Sequence, residues 1–179
     1  MHEFFWLILL KGYYRKFVKS FGLKGSEKLL DFGCGPGSTS KFIAPILEKE
    51  GGELTCLDIS EAWIERAKKH LRRFSNVEYY AGDIREWKEK NNYFDAVSIH
   101  FMVHDIDKSE REEVVRALAE KMKTGAKLII REPTKKGHGI SPEEIQELME
   151  RSGLRKAEST AKKSIIMGFM FTGIFIKPD

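Results

Sequence analysis

Cysteine is scarce in this chain: its 179 residues include only Cys34 and Cys56. Two cysteines make no disulfide framework, and no cysteine–histidine spacing of a zinc site is present. Free thiols in a cytoplasmic protein are the expectation, with no metal. Long apolar runs are also missing. Phe4-Phe5-Trp6-Leu7-Ile8-Leu9-Leu10 is strongly apolar, but a bilayer crossing takes roughly 20 residues. It lacks a basic leader and a small-residue cleavage site, so it does not read as a signal peptide. Charge of a single sign is not concentrated anywhere. Lys and Arg number 31 against 27 Asp and Glu, for a net charge of +4 and a pI near 8.9. Such a mixture suits a solvated surface better than a nucleic-acid face. No repeat, linker or low-complexity segment interrupts the chain. With 41% hydrophobic and 32% charged residues, it reads as one globular domain with a sizeable core.

What is there begins with Leu29-Leu30-Asp31-Phe32-Gly33-Cys34-Gly35-Pro36-Gly37. A short apolar run reads as a buried strand and breaks into a glycine-dense turn. The apolar spacing of Lys41-Phe42-Ile43-Ala44-Pro45-Ile46-Leu47 then predicts a helix. Strand, glycine turn and helix form the nucleotide-binding opening of a doubly wound α/β fold. A dinucleotide would set its pyrophosphate over Gly33, Cys34, Gly35 and Gly37, beside the Asp31 carboxylate, and like charges at that range repel. It would also want a third glycine where Ser38 stands. S-adenosylmethionine (SAM) carries a sulfonium and an ammonium and no phosphate, so Asp31 favours it. Asp31 could instead only tie down the turn.

Two more acids follow at predicted strand ends. Glu53–Asp58 reads as a second strand, and Asp58 stands about twenty residues past the glycines, where an acid accepts the ribose hydroxyls. Both SAM and NAD carry that ribose. Ser60 is placed to cap a helix through Ile64 and Ala67. Residues 77–84 read as a third strand ending in Gly82-Asp83, where Asp83 can accept from an adenine amino group. Each acid alone could be a helix cap; at successive strand ends they read as one site.

With these residues in view, the chain resembles the seven-strand SAM-dependent methyltransferases, in the subgroup of ubiquinone/menaquinone-biosynthesis and other small-molecule methylating enzymes. Residues 29–39, 54–68, 78–84 and 94–106 carry the resemblance, and 122–133 looks like that group's turn into its fifth strand. It implies an α/β fold with a doubly wound, mostly parallel seven-stranded sheet and a reversed C-terminal hairpin strand. It also implies SAM as cofactor, with Ile59, Trp63, Ile84 and His100 joining the glycine turn and the two later acids around it. Residues near His100 in such enzymes hold the methionine part of the cofactor.

Phe94–His100 reads as the fourth strand, and its loop faces the ligand crevice of an open α/β sheet. His104 lies one helical turn beyond His100. Glu132 ends the fifth strand, and His138 sits in the next loop between Gly137 and Gly139. The expectation is that His104, Glu132 and His138 converge at the pocket mouth, with His104 and His138 as catalytic candidates. Structural roles for both histidines stay open. Residues 98–102 are Ser-Ile-His-Phe-Met, with neither an Asn/Asp-Pro-Pro-aromatic block nor a Pro-Cys pair, which disfavours methylation of nucleobases at amino nitrogen or cytosine C5. The cysteines lie on the cofactor side, which disfavours arsenite as acceptor. A small organic acceptor at O, N, C or S remains. An NAD(P)-binding oxidoreductase and a SAM-binding module without catalysis are the alternatives.

Three further helices are legible. Residues 1–22 form an amphipathic N-terminal segment, separate from the SAM-binding domain at 23–179. Its helix over residues 4–21 is read as packing on the sheet or as a lid, ahead of a dimer contact or a membrane-surface helix. Ser109-x-x-Glu112 reads as a capping box. Ser141-Pro142 opens a helix that Gly153 ends. Residues 155–162 and 169–176 are the last two strands.

Overall fold

The computed structural model describes residues 2–135, 137, 139–164 and 168–179, with side chains described from residue 11 onward. Helix α1 spans His2–Lys19, and β1 spans Lys28–Phe32. Alternation on β1 sends Leu30 and Phe32 to one face of the sheet and Leu29 and Asp31 to the other. Leu29 joins a core with Phe17 and Val18 of α1 and Ile43 and Leu47 of α2 (Ser40–Leu47). It also includes Ile64 and Leu71 of α3 (Glu61–Leu71). Leu30 and Phe32 join the opposite core, with Val115 and Leu118 of α4 (Arg111–Lys121) and Ile145 and Met149 of α5 (Pro142–Arg151). Helices therefore cover both faces, and the middle strands, Lys28–Phe32, Glu53–Asp58 and Phe94–His100, are buried along most of their length.

The other strands are β2 (Glu53–Asp58), β3 (Val77–Ala81), β4 (Phe94–His100), β5 (Met122–Pro133), β6 (Arg155–Ser164) and β7 (Gly168–Ile176). They form one seven-stranded sheet in the order β3-β2-β1-β4-β5-β7-β6. The strands β3, β2, β1, β4 and β5 pair in parallel, and β7 runs antiparallel to both β5 and β6. This is the expected doubly wound sheet with its reversed strand. Strand order turns back between β1 and β4, so a crevice opens at their C-terminal ends. Asp31, Asp58, Gly82 and His100 all lie at that edge.

Local chemistry sets the element ends. Ser141 accepts from the Glu144 N–H at 3.1 Å with Pro142 in the first turn, and Gly153 at φ +83° closes α5. The capping box at Ser109 does not form. Residues 107–110 make a turn, with the Glu110 N–H donating to the Asp107 carbonyl, and α4 starts at Arg111 without a side-chain cap. Glu110 is drawn to Arg85, and Glu112 to Arg116. Ser60 does occupy the N-cap position of α3, but its side chain makes no cap bond. Cys34 and Cys56 are buried free thiols.

Candidate functional site

The turn after β1 is shaped by its glycines. Gly33 has φ +65°, and a Cβ there would lie 2.1 Å from Met102 Cγ. Only glycine both adopts this backbone and lets Met102 rest on it. The turn is pinned to β2: the Cys34 N–H donates to the Leu57 carbonyl at 3.0 Å and the Gly35 N–H to Asp58 Oδ2 at 2.9 Å. Asp58 Oδ1 accepts from the Ser60 N–H at 2.9 Å. Each Asp58 oxygen thus keeps a second lone pair for a ligand hydroxyl. His70 of α3 meets the Pro36 carbonyl through Nδ1 at 2.8 Å, holding the far side of the loop. Cys34 lines the cleft, but Cys56 and burial push its thiol pKa up, so it stays protonated and unreactive.

Asp31 lies beneath this turn with 2% of its surface exposed. Its Oδ2 accepts a hydrogen bond from Ser40 Oγ at the start of α2, which links β1 to that helix. Burial raises its pKa from 3.8 to about 6. A carboxylate ionised there at neutral pH is short of compensation and attracts a cation.

The crevice has two halves. One, of about 310 Å³, includes Asp58, Ile59, Asp83, Ile84 and Arg85. The other, of about 290 Å³, includes Tyr14, Asp31, Cys34, Gly35, Trp63 and His100. Met102 and Asp105 line both, so they stand where the halves meet. Ile59 is 70% exposed and Trp63 39%. These large apolar surfaces flank the cleft as open walls.

Asp83 is not free for a ligand as the chain stands. Arg85 clasps both its oxygens at 3.0 Å from Nε, and the bond lowers the Asp83 pKa. Arg85 also reaches Glu110 at 3.0 Å, so it bridges β3 to the start of α4. The sequence signal for this was a cation two residues past the acid.

His100 sits among Tyr13, Tyr14, Phe17 and Phe101, with ring centroids 4.0–5.9 Å away. Burial, helped by nearby Arg131, drives its pKa down to about 3, so it is uncharged at neutral pH. Its Nε2 is buried without a hydrogen-bond partner among the described residues, as is the Tyr13 hydroxyl. The chain then bends at Phe101, a bulky residue at φ +59°. Strain of this kind needs outside support. Glu132 supplies it: fully buried at the end of β5, it accepts from the N–H groups of Met102 and Val103 at 2.9 and 2.8 Å.

Glu132 also accepts from His104 Nδ1 at 2.6 Å. That bond raises the His104 pKa against the opposing effect of burial. His104 and Glu132 therefore meet, as expected, but in the interior rather than at the pocket mouth. A carboxylate that carries two backbone N–H groups cannot also reach the mouth. His138 lies outside the described residues. Tyr14, Met102, Arg85 and Glu132's support of the bend were missed because each acts from a different element.

With this geometry in hand, comparison with known proteins is decisive on family. A family model described as a methyltransferase domain matches residues 29–125.

The chain belongs to the SAM-dependent methyltransferase family.

Among curated relatives, the ubiquinone/menaquinone biosynthesis C-methyltransferase UbiE of Yersinia enterocolitica is 29% identical over 118 residues, 64% of this chain and 45% of that protein. The chain thus spans about half the length of the curated relatives it matches. Among solved structures, the N-methyltransferase NodS of Bradyrhizobium japonicum, in complex with S-adenosyl-L-homocysteine, superposes with a TM-score of 0.78 at 16% identity, covering 94% of this chain and 87% of NodS. The [4+2]-cyclase SpnF superposes with a TM-score of 0.75 at 16% identity over 87% of this chain and 77% of its own. These likenesses show the methyltransferase fold, and SpnF shows that the fold alone does not fix the reaction.

The residues present suit the family's cofactor. Asp31 is a buried acid short of a cation, Asp58 keeps acceptor capacity, and Ile59 and Trp63 offer apolar walls. The dry aromatic ring around His100 borders the Asp31 half.

Proposed function

We propose that this protein transfers the methyl group of SAM to a small organic acceptor at O, N, C or S. The observation that carries the reading is the row of Asp31, Asp58 and Asp83 at successive strand ends around a two-part cleft, with the buried acid nearest the glycine turn. SAM, when bound, supplies a methyl group already activated on a positive sulfur. Asp31 would attract the cationic end, Asp58 would accept from the ribose, and Ile59 and Ile84 would cover the adenine. Asp83 would take the adenine amino group in competition with Arg85. A pyrophosphate beside Asp31 would be repelled, which argues against the dinucleotide reading.

Methyl transfer is an in-line displacement: the acceptor bonds the methyl carbon as the carbon–sulfur bond breaks. The protein chiefly aligns the partners and excludes water. Tyr13, Tyr14 and Phe17 of α1 close the His100 side of the cleft, in keeping with a lid. If the acceptor atom carries a proton, His104 is the first candidate to take it, with Nδ1 turned to Glu132 and Nε2 3.5 Å from Asp105 Oδ1. His138 is kept as a second catalytic candidate. Two buried, unpaired thiols suit a reducing compartment such as the cytoplasm. A screen of small acceptors with methyl-labelled SAM, read by product mass, tests the reading. A labelled product is expected; SAM binding with no transfer to any acceptor class would favour a binding module.

A further inference from the structure

A second cavity, of about 660 Å³, lies away from the cleft where α1 runs beside α2 and the end of α3. Its wall carries Lys11, Arg15 and Lys19 from one row of α1 at i, i+4 and i+8, with Lys41 and Arg73 opposite, and no acid among the described residues lines it. All five cations are exposed, and none has a salt-bridge partner among the described residues. The floor is apolar, with Val18 buried and Phe42 and Phe74 half-buried. Arg73 lies 4.6 Å over the Phe74 ring and Lys41 5.3 Å over Phe42. Like charges gathered with no counter-charge repel one another, so the groove gains when an anionic partner arrives.

The same helix supplies a second, independent feature. Phe4 to Leu10 are seven consecutive apolar residues within α1, directly ahead of Lys11. Seven residues make about two turns, so the run is apolar all round rather than on one face. From Phe4 to Ser26 there is no acid and there are five cations, Lys11, Arg15, Lys16, Lys19 and Lys24. No helix among the described residues is long and apolar enough to cross a membrane.

We propose that the N-terminal half of α1 and the basic groove at its base together form a docking surface for an anionic lipid bilayer. The apolar turns enter the interface and the Lys/Arg collar meets the headgroups, the two signals that stable peripheral binding needs. A nucleic acid would satisfy the collar but would offer nothing to Leu7-Ile8-Leu9-Leu10. This reverses the sequence-based preference for a helix with no membrane role, and it stands apart from the assignment of the cleft.

The test is co-sedimentation of the full chain with phosphatidylcholine vesicles, with and without about 30 mol% phosphatidylglycerol. Binding is expected only to the anionic vesicles, and it should weaken at high salt. The Arg15→Glu/Arg73→Glu variant should lose about tenfold or more of that binding. Arg15→Gln/Arg73→Gln should fall between it and the unaltered chain. Leu7→Glu/Leu10→Glu should lose binding with the collar intact. SAM titration and thermal melting of each variant confirm that the fold survives. Equal binding to both vesicles, no binding, or preference for an RNA oligonucleotide over anionic vesicles would each overturn the proposal.

Discussion

Asp31 concentrates the chemistry of the site in one residue. Because its folded pKa is raised to about 6, its contribution to stability is full below the unfolded value near 3.8 and is lost as pH rises through about 6. Above that, its charge is tolerated at a cost that a bound cation relieves. SAM affinity should therefore fall as pH drops through about 6 in the unaltered chain. In Asp31→Asn it should be weaker and flat with pH, while the ligand-free variant melts higher at pH 8; calorimetry and thermal melting read both. For His104 the direction is the same: its raised pKa gives stability that is lost as pH rises through it. Its pKa is raised above 6.5 by Glu132, so a base role requires turnover to climb with pH through a value above 6.5. His104→Ala should then cut kcat by about 10²–10⁴-fold with SAM affinity nearly unchanged. Glu132→Gln should move the pH midpoint down. A flat profile would leave His104 a structural partner of Glu132. The acids of the cleft were legible in the sequence because each follows its own strand at local spacing. Met102 on Gly33 and Arg85 on Asp83 were not, since packing between elements sets them.

Elements differ in how openly the sequence announces them. The apolar runs of β1, β2 and β4 gave their positions to within a residue, because a buried central strand has little freedom of composition. The two serine caps look alike as motifs but differ in the fold. Ser141 is engaged by the Glu144 N–H, whereas Ser109 stands in a turn before α4 begins. Ser141→Ala should cost about 1 kcal/mol in chemical denaturation and Ser109→Ala close to nothing. Helix α1 is anchored by Phe17 and Val18, which are fully or nearly buried, while Tyr13 and Tyr14 remain half-buried beside His100. As a lid, its backbone around residues 11–16 should exchange hydrogen more slowly once SAM or its product is bound. Exchange that ignores the ligand would make α1 a fixed wall instead.

At the scale of the whole molecule, the sheet order places three acids and one glycine turn at a single edge, and helices seal both faces below it. That arrangement follows from alternating strand and helix patterns, so the fold was readable before the structure. The acceptor was not, because the residues gathered around His100 come from α1, the bend at Phe101 and the end of β5, which are far apart in the chain. In the proposed function this edge takes a cationic sulfonium nucleoside and not a dinucleotide. Isothermal titration of the unaltered chain with SAM, S-adenosylhomocysteine and NAD tests it most directly. SAM and S-adenosylhomocysteine should bind and NAD should not, and Asp58→Ala should weaken SAM by about 1.5–3 kcal/mol. Binding of NAD in the absence of SAM binding would contradict the account.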